Sequence, residues 1–128
     1  IEIVSEHYNA ENFGNSIVDR LTYCSLDGRR VHIFLVLEDA LVLRAVSSML
    51  NMPIKKVDKM VLNAARQLSQ QIVEQVGIHS HLSSKYLLES NHLMTTEQFQ
   101  QAFYAEYFDY NLLFNTGTGY FAVCIKMV

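Results

Sequence analysis

In the stretch VLNAARQLSQQIV (residues 61–73), Asn63, Gln67, Gln70 and, just beyond it, Glu74 fall at i, i+4, i+7 and i+11. At about 100° per residue these positions form one narrow stripe of a helix. Val61, Ala64, Ala65, Leu68, Ile72 and Val76 fall on the opposite side. A stripe of this kind is either the solvated back of a surface helix or a working face. As a working face it offers hydrogen bonding: a side-chain amide accepts through its carbonyl and donates through its NH2.

Other chemistry-bearing residues form weaker patterns. His79 and His81, with His92 further on, place two imidazoles on one side of an extended segment. No acidic or Cys ligand stands at useful spacing, so exposed loop histidines are expected and no metal. Gly117-Thr118-Gly119 lacks the GK[ST] and the following helix of a phosphate loop. Ser47-Ser48, Ser83-Ser84 and Cys24 have no recognisable base arrangement, which leaves nucleophilic catalysis without support. The aromatic run FYAEYFDY (residues 103–110) reads as core with a polar rim rather than as a docking surface.

The elements that must position the stripe follow from periodicity and turn chemistry. Residues 20–37 hold two β-rich runs joined at Asp27-Gly28, the pattern of a two-residue hairpin turn with φ > 0 at both central positions. Glu38-Asp39 then feeds a helix, ALVLRAVSSML, stopped by NMP at residues 51–53. Asp58 is the expected N-cap of the amide-bearing helix, roughly 58–76, and Gly77 its stop. The polar stretch 78–92 admits a strand at LSSKYLLES, and Thr95 with Gln98 forms a capping box before a short helix. FDYNLLF–NTGTG–YFAVCIKMV reads as a closing hairpin. Hairpins at both ends with helices between predict an α+β fold, an antiparallel sheet with helices packed on one face.

Composition narrows the function classes. The 128 residues suit one domain spanning 1–128, and a net charge of −3 with a pI near 5.9 gives no reason to expect nucleic acid or an anionic membrane. Runs such as IFLVLEDALVLRAV are broken by charge before they reach the ~20 apolar residues of a membrane helix. The start, IEIVSEHYNAENFG, has no basic n-region, so a cytoplasmic setting is expected, with Cys24 and Cys124 as structural thiols. The start without Met and the end on CIKMV suit a domain excised from a longer protein.

The order of elements, and in particular VHIFLVLEDALVLRAVSSMLNMPIKKVDKMVLNAARQLSQQIV followed by YNLLFNTGTGYFAVCIKM, resembles the CheC/CheX/FliY group of chemotaxis phosphatases, the CheX-like domains above all. The resemblance covers the chain from about residue 17 onward. The family's signature helix carries an acidic residue or serine, then Glu four positions on and Asn three further. Here those positions are Asn63, Gln67 and Gln70. The resemblance implies recognition of a phosphorylated CheY-like response-regulator receiver and hydrolysis of its aspartyl phosphate. Gln67 and Gln70 would be the catalytic positions, and Asn63, Arg66 and Glu74 would contact the partner. It implies no cofactor in this chain, since the receiver holds the Mg2+, and a homodimer. Gln at position 70 keeps an amide able to orient water. Gln at 67 replaces a charge-assisted bond of ~1.5–3 kcal/mol by a neutral one of ~0.5–1.5. With the added charge of Arg66, weak or residual phosphatase activity is expected. The alternatives are a non-catalytic dimerisation or interaction module and a flagellar-switch-like scaffold domain.

Overall fold

The computed structural model describes residues 2–5, 15–75, 86–105, 108–117 and 119–127. Strand β1 is Glu2–Ser5, β2 Ser16–Ser25 and β3 Arg30–Glu38; helix α1 is Asp39–Leu50 and α2 Lys59–Gln75; β4 is Tyr86–Met94, α3 Thr96–Ala105, β5 Tyr110–Asn115 and β6 Tyr120–Met127. All six strands join one antiparallel sheet in the order β1-β5-β6-β3-β2-β4. The two expected hairpins are therefore its centre, and β1 and β4 are added at the edges.

The strand pleat divides the core in two. Ile17, Leu21 and Tyr23 of β2, with Val31, Ile33, Leu35 and Leu37 of β3 and Phe121 and Val123 of β6, pack with Val42 and Val46 of α1 and Val61, Ala65 and Val73 of α2. The alternate residues Val18, Phe34, Val36, Ala122 and Cys124 pack with Phe99 of α3. Because successive side chains point to opposite faces, α1 and α2 cover one face and α3 the other. The expected α+β antiparallel fold stands, but its helices are not all on one face. The central strands are apolar on both sides of the pleat, as FLVL in β3 shows, and both sides need a cover.

Local chemistry sets the boundaries. At the first hairpin Ser25 N–H donates to Arg29 O at 2.9 Å and Gly28 N–H to Ser25 O at 3.1 Å. Gly28 has φ +87°, and among the described non-glycine residues only Asn51 has a positive φ. The turn is thus a three-residue loop, Leu26-Asp27-Gly28, with Gly28 alone left-handed, rather than the two-residue turn expected at Asp27-Gly28. The Ser25 hydroxyl, bonded to Asp27 and accepting from Arg29 N–H, holds the wider loop. Helix α1 ends on Asn51 in the left-handed conformation (φ 53°, ψ 42°), two residues ahead of Pro53. Asp58 caps α2 through Val61 N–H at 2.9 Å, as expected. The Thr95–Gln98 capping box closes in both directions, at 3.0 and 3.1 Å. Glu38 accepts Tyr120 N–H at 2.6 Å and ties the start of α1 to the β5–β6 turn. Gly119 fits there because a Cβ would sit 3.2 Å from that of Leu41.

Cys24 and Cys124 are free thiols, and burial pushes the Cys124 thiol up to about 12. Phe108 stacks edge-on against Phe34 at 5.3 Å, so this member of the aromatic run packs on the core, while Tyr110 is exposed. Gly77, His79, His81 and Ser83-Ser84 lie outside the described residues, as do Glu106 and Tyr107 of the aromatic run. No helix among the described residues is long and apolar enough to cross a membrane.

Candidate functional site

Helix α2 is fixed to the sheet by Val61, Ala65, Ser69 and Val73, four buried residues spaced by four. That spacing decides where the amides go. Asn63, Gln67 and Glu74 are exposed and Gln70 is half-buried. Gln70 donates from Nε2 to Glu74 Oε1 at 3.4 Å, one turn on. The stripe is therefore an outward surface, with nothing of the fold's own core on it.

It is also one wall of a groove. Asn63, Arg66, Gln67 and Gln70 on α2, with Asn91 on β4, line an open depression of about 460 Å³. Four amide side chains and one guanidinium face this space. Arg66 Nη2 donates to Asn91 O at 2.6 Å, and Asn91 Nδ2 donates back to Arg66 O at 3.1 Å. The two residues bracket helix and strand together. Among the five candidates taken from the sequence, Asn63, Arg66, Gln67 and Gln70 line the groove, and Glu74 reaches it through Gln70.

Two features beneath and beside the stripe were not anticipated. Asn91 belongs to β4, in a stretch whose local pattern was ambiguous, and no spacing rule links it to α2. Asp19 of β2 is fully buried, as is Ser69 of α2. Burial raises the Asp19 carboxyl to about 7, against the opposing pull of the Ser69 hydroxyl, the Arg66 charge and the Arg20 backbone. Neither carboxyl oxygen has a hydrogen-bond partner of good geometry among the described residues. The signal was present in IVDRLTY: Asp19 has the same strand parity as Ile17 and Leu21, hence the core side.

The groove's chemistry is that of hydrogen bonding and positioning. Amides accept and donate without gaining or losing a proton in the ordinary pH range, so the groove can orient a water or a polar partner group rather than shuttle protons. Among the described residues no group of three or more His, Cys, Asp or Glu could hold a metal ion. His92 is an exposed residue of β4. A second, mostly apolar cleft of about 290 Å³ between α1 and α2, floored by Phe121, has no titratable lining residue and offers shape alone.

An antiparallel sheet with two helices on one face and a third on the other gives a CheC/CheX-like fold. Two solved structures share it. The chemotaxis protein CheX from Vibrio vulnificus matches 94% of this chain and 80% of its own, with a TM-score of 0.67 and 8% identity. A CheC-like superfamily protein from Shewanella sp. PV-4 matches 98% of this chain and 80% of its own, with a TM-score of 0.61 and 11% identity. No family model and no curated protein matches the sequence. At these identities the likeness is one of fold.

Proposed function

We propose that the chain is a single CheX-like domain that recognises the phosphorylated receiver of a CheY-like response regulator and hydrolyses its aspartyl phosphate weakly. The observation that carries this reading is the placement of Gln67 and Gln70 together on the outer face of α2, in one groove with Asn63. An acyl phosphate is already activated. With Mg2+ brought by the receiver, what remains is to set a water in line with phosphorus. Gln70 would hold that water through its carbonyl. The water oxygen bonds to phosphorus as the bond to the aspartyl oxygen breaks, which yields phosphate and the free carboxylate. Gln67 would hold the partner by a neutral bond, with Asn63, Arg66 and Glu74 along the rim.

The test is the decay of a phosphorylated CheY-like receiver with and without the domain. Gln70→Ala is expected to remove the acceleration, since misplacing a reacting group can cost up to about 100-fold. Gln67→Ala is expected to weaken binding first. A receiver that binds without faster decay would reduce the domain to recognition, and neither effect with any cognate receiver would sink the proposal.

The second reading is a homodimeric interaction module. It is favoured by edge strand β4, on which Leu87 is 72% exposed and Leu88 37%. A strand edge with no partner among the described residues, carrying exposed leucines, is a template for pairing. Light scattering is expected to give about twice the 14.7 kDa chain mass. A strict monomer at every micromolar concentration would remove this reading.

A further inference from the structure

We propose that the junction between α1 and α2 is a docking surface for an acidic amphipathic helix of a protein partner. Nine large hydrophobic side chains are exposed among the described residues, and four of them fall within twelve residues of sequence at this junction. They are Met49 at 45%, Leu50 at 42%, Met52 at 52% and Met60 at 46% exposure. Scattered single apolar residues on a surface need no explanation, whereas a local cluster marks an interaction site.

The cluster is held in place. Met52 N–H donates to Ser47 O at 3.1 Å, and Ser47 Oγ accepts Ile54 N–H at 2.9 Å while donating to Leu43 O at 2.7 Å. Ile54 and Val57 pack against the core, and Asp58 caps α2. The linker's backbone is thus anchored at both ends while Met52, between them, stays exposed. Methionine, flexible and polarisable, suits such a contact because it adapts to its partner.

Charge selects the partner. Residues 44–60 carry Arg44, Lys55, Lys56 and Lys59 against Asp58 alone, a net of +3, so in a chain of net −3 the remainder carries −6. All four cations are exposed. A short acidic helix with an apolar stripe meets only this local surface. An anionic bilayer, charged over a whole plane, would have to take up a chain whose net charge is −3. The proposal does not rest on receiver recognition: Met60 lies one turn before Asn63, yet the two surfaces share no lining residue.

The methionine methyls supply the test. The protein would be labelled with ¹³C at the Met methyls and titrated with a synthetic 16-residue helix, Leu on one face and Glu on the other. The signals of Met49, Met52 and Met60 are expected to move together. Met127, 54% exposed on β6, is expected to stay still and reports non-specific greasiness. Lys55→Glu with Lys56→Glu, both on the exposed linker, is expected to weaken binding about tenfold or more by reversing the complementarity. Absence of any shift, equal movement of Met127, an unchanged affinity in the charge-reversed protein, or shifts with phosphatidylserine vesicles in place of the peptide would each overturn the proposal.

Discussion

Asp19→Asn is expected to flatten the pH dependence of folding stability. The wild-type domain should lose roughly 2–3 kcal/mol between pH 5 and pH 8 that the variant keeps. The Asp19 carboxyl is raised by burial from 3.8 to about 7. Between those two values the unfolded chain has released its proton and the folded chain still holds it. Stability contributed by the protonated group is complete below about 4 and is lost as pH rises through 7. Above that, a carboxylate must be kept charged between Ser69 and the sheet, without good hydrogen bonds. Asn has nearly the same shape and no charge to desolvate. Urea denaturation of both proteins at pH 5 and 8 reads the difference. An equal pH slope in the two would show that Asp19 does not titrate in this window.

Phe99→Ala is expected to cost about 3–5 kcal/mol, the range for emptying a buried aromatic site. Phe99 is fully buried, with its ring centroid 5.8 Å from Phe34 and 6.3 Å from Phe108. Among the described side chains it is the fully buried anchor of α3, a ten-residue helix too short to persist alone in water. Since whole domains are stable by about 5–15 kcal/mol, the loss would leave this one marginal. The α2 groove lies on the other face of the sheet, so its geometry in the folded fraction should be unchanged. A urea midpoint within experimental error of wild type would show that α3 contributes little to the core.

How far these features were legible depends on whether their cause is local. The Asp58 cap, the Thr95–Gln98 box and the amide stripe each rest on residues a few positions apart, and the sequence pattern carries them. The side of the sheet that α3 covers does not work that way. An apolar stripe says that a helix must be covered, but which face receives it depends on the pairing register of strands up to 80 residues away, as in the Thr96 to Ser16 contact. Asp27-Gly28 misled for a smaller reason: the Ser25 hydroxyl competes for the turn and widens it by one residue. Asn91 enters the groove only because β4 pairs with β2 beside α2. The strand β1 is four residues long, and its place beside β5 depends wholly on that partner.

The paired bonds between Arg66 and Asn91 run in opposite senses, side chain to main chain each way. A slide of α2 along β4 would lengthen both, so the pair resists relative movement of helix and strand. To the extent that this tie holds the groove's width, a visitor would do the adjusting itself. Discrimination there would follow the visitor's own stiffness: a rigid, well-fitting surface would lose little freedom on arrival, and a floppy one would surrender far more for the same contacts.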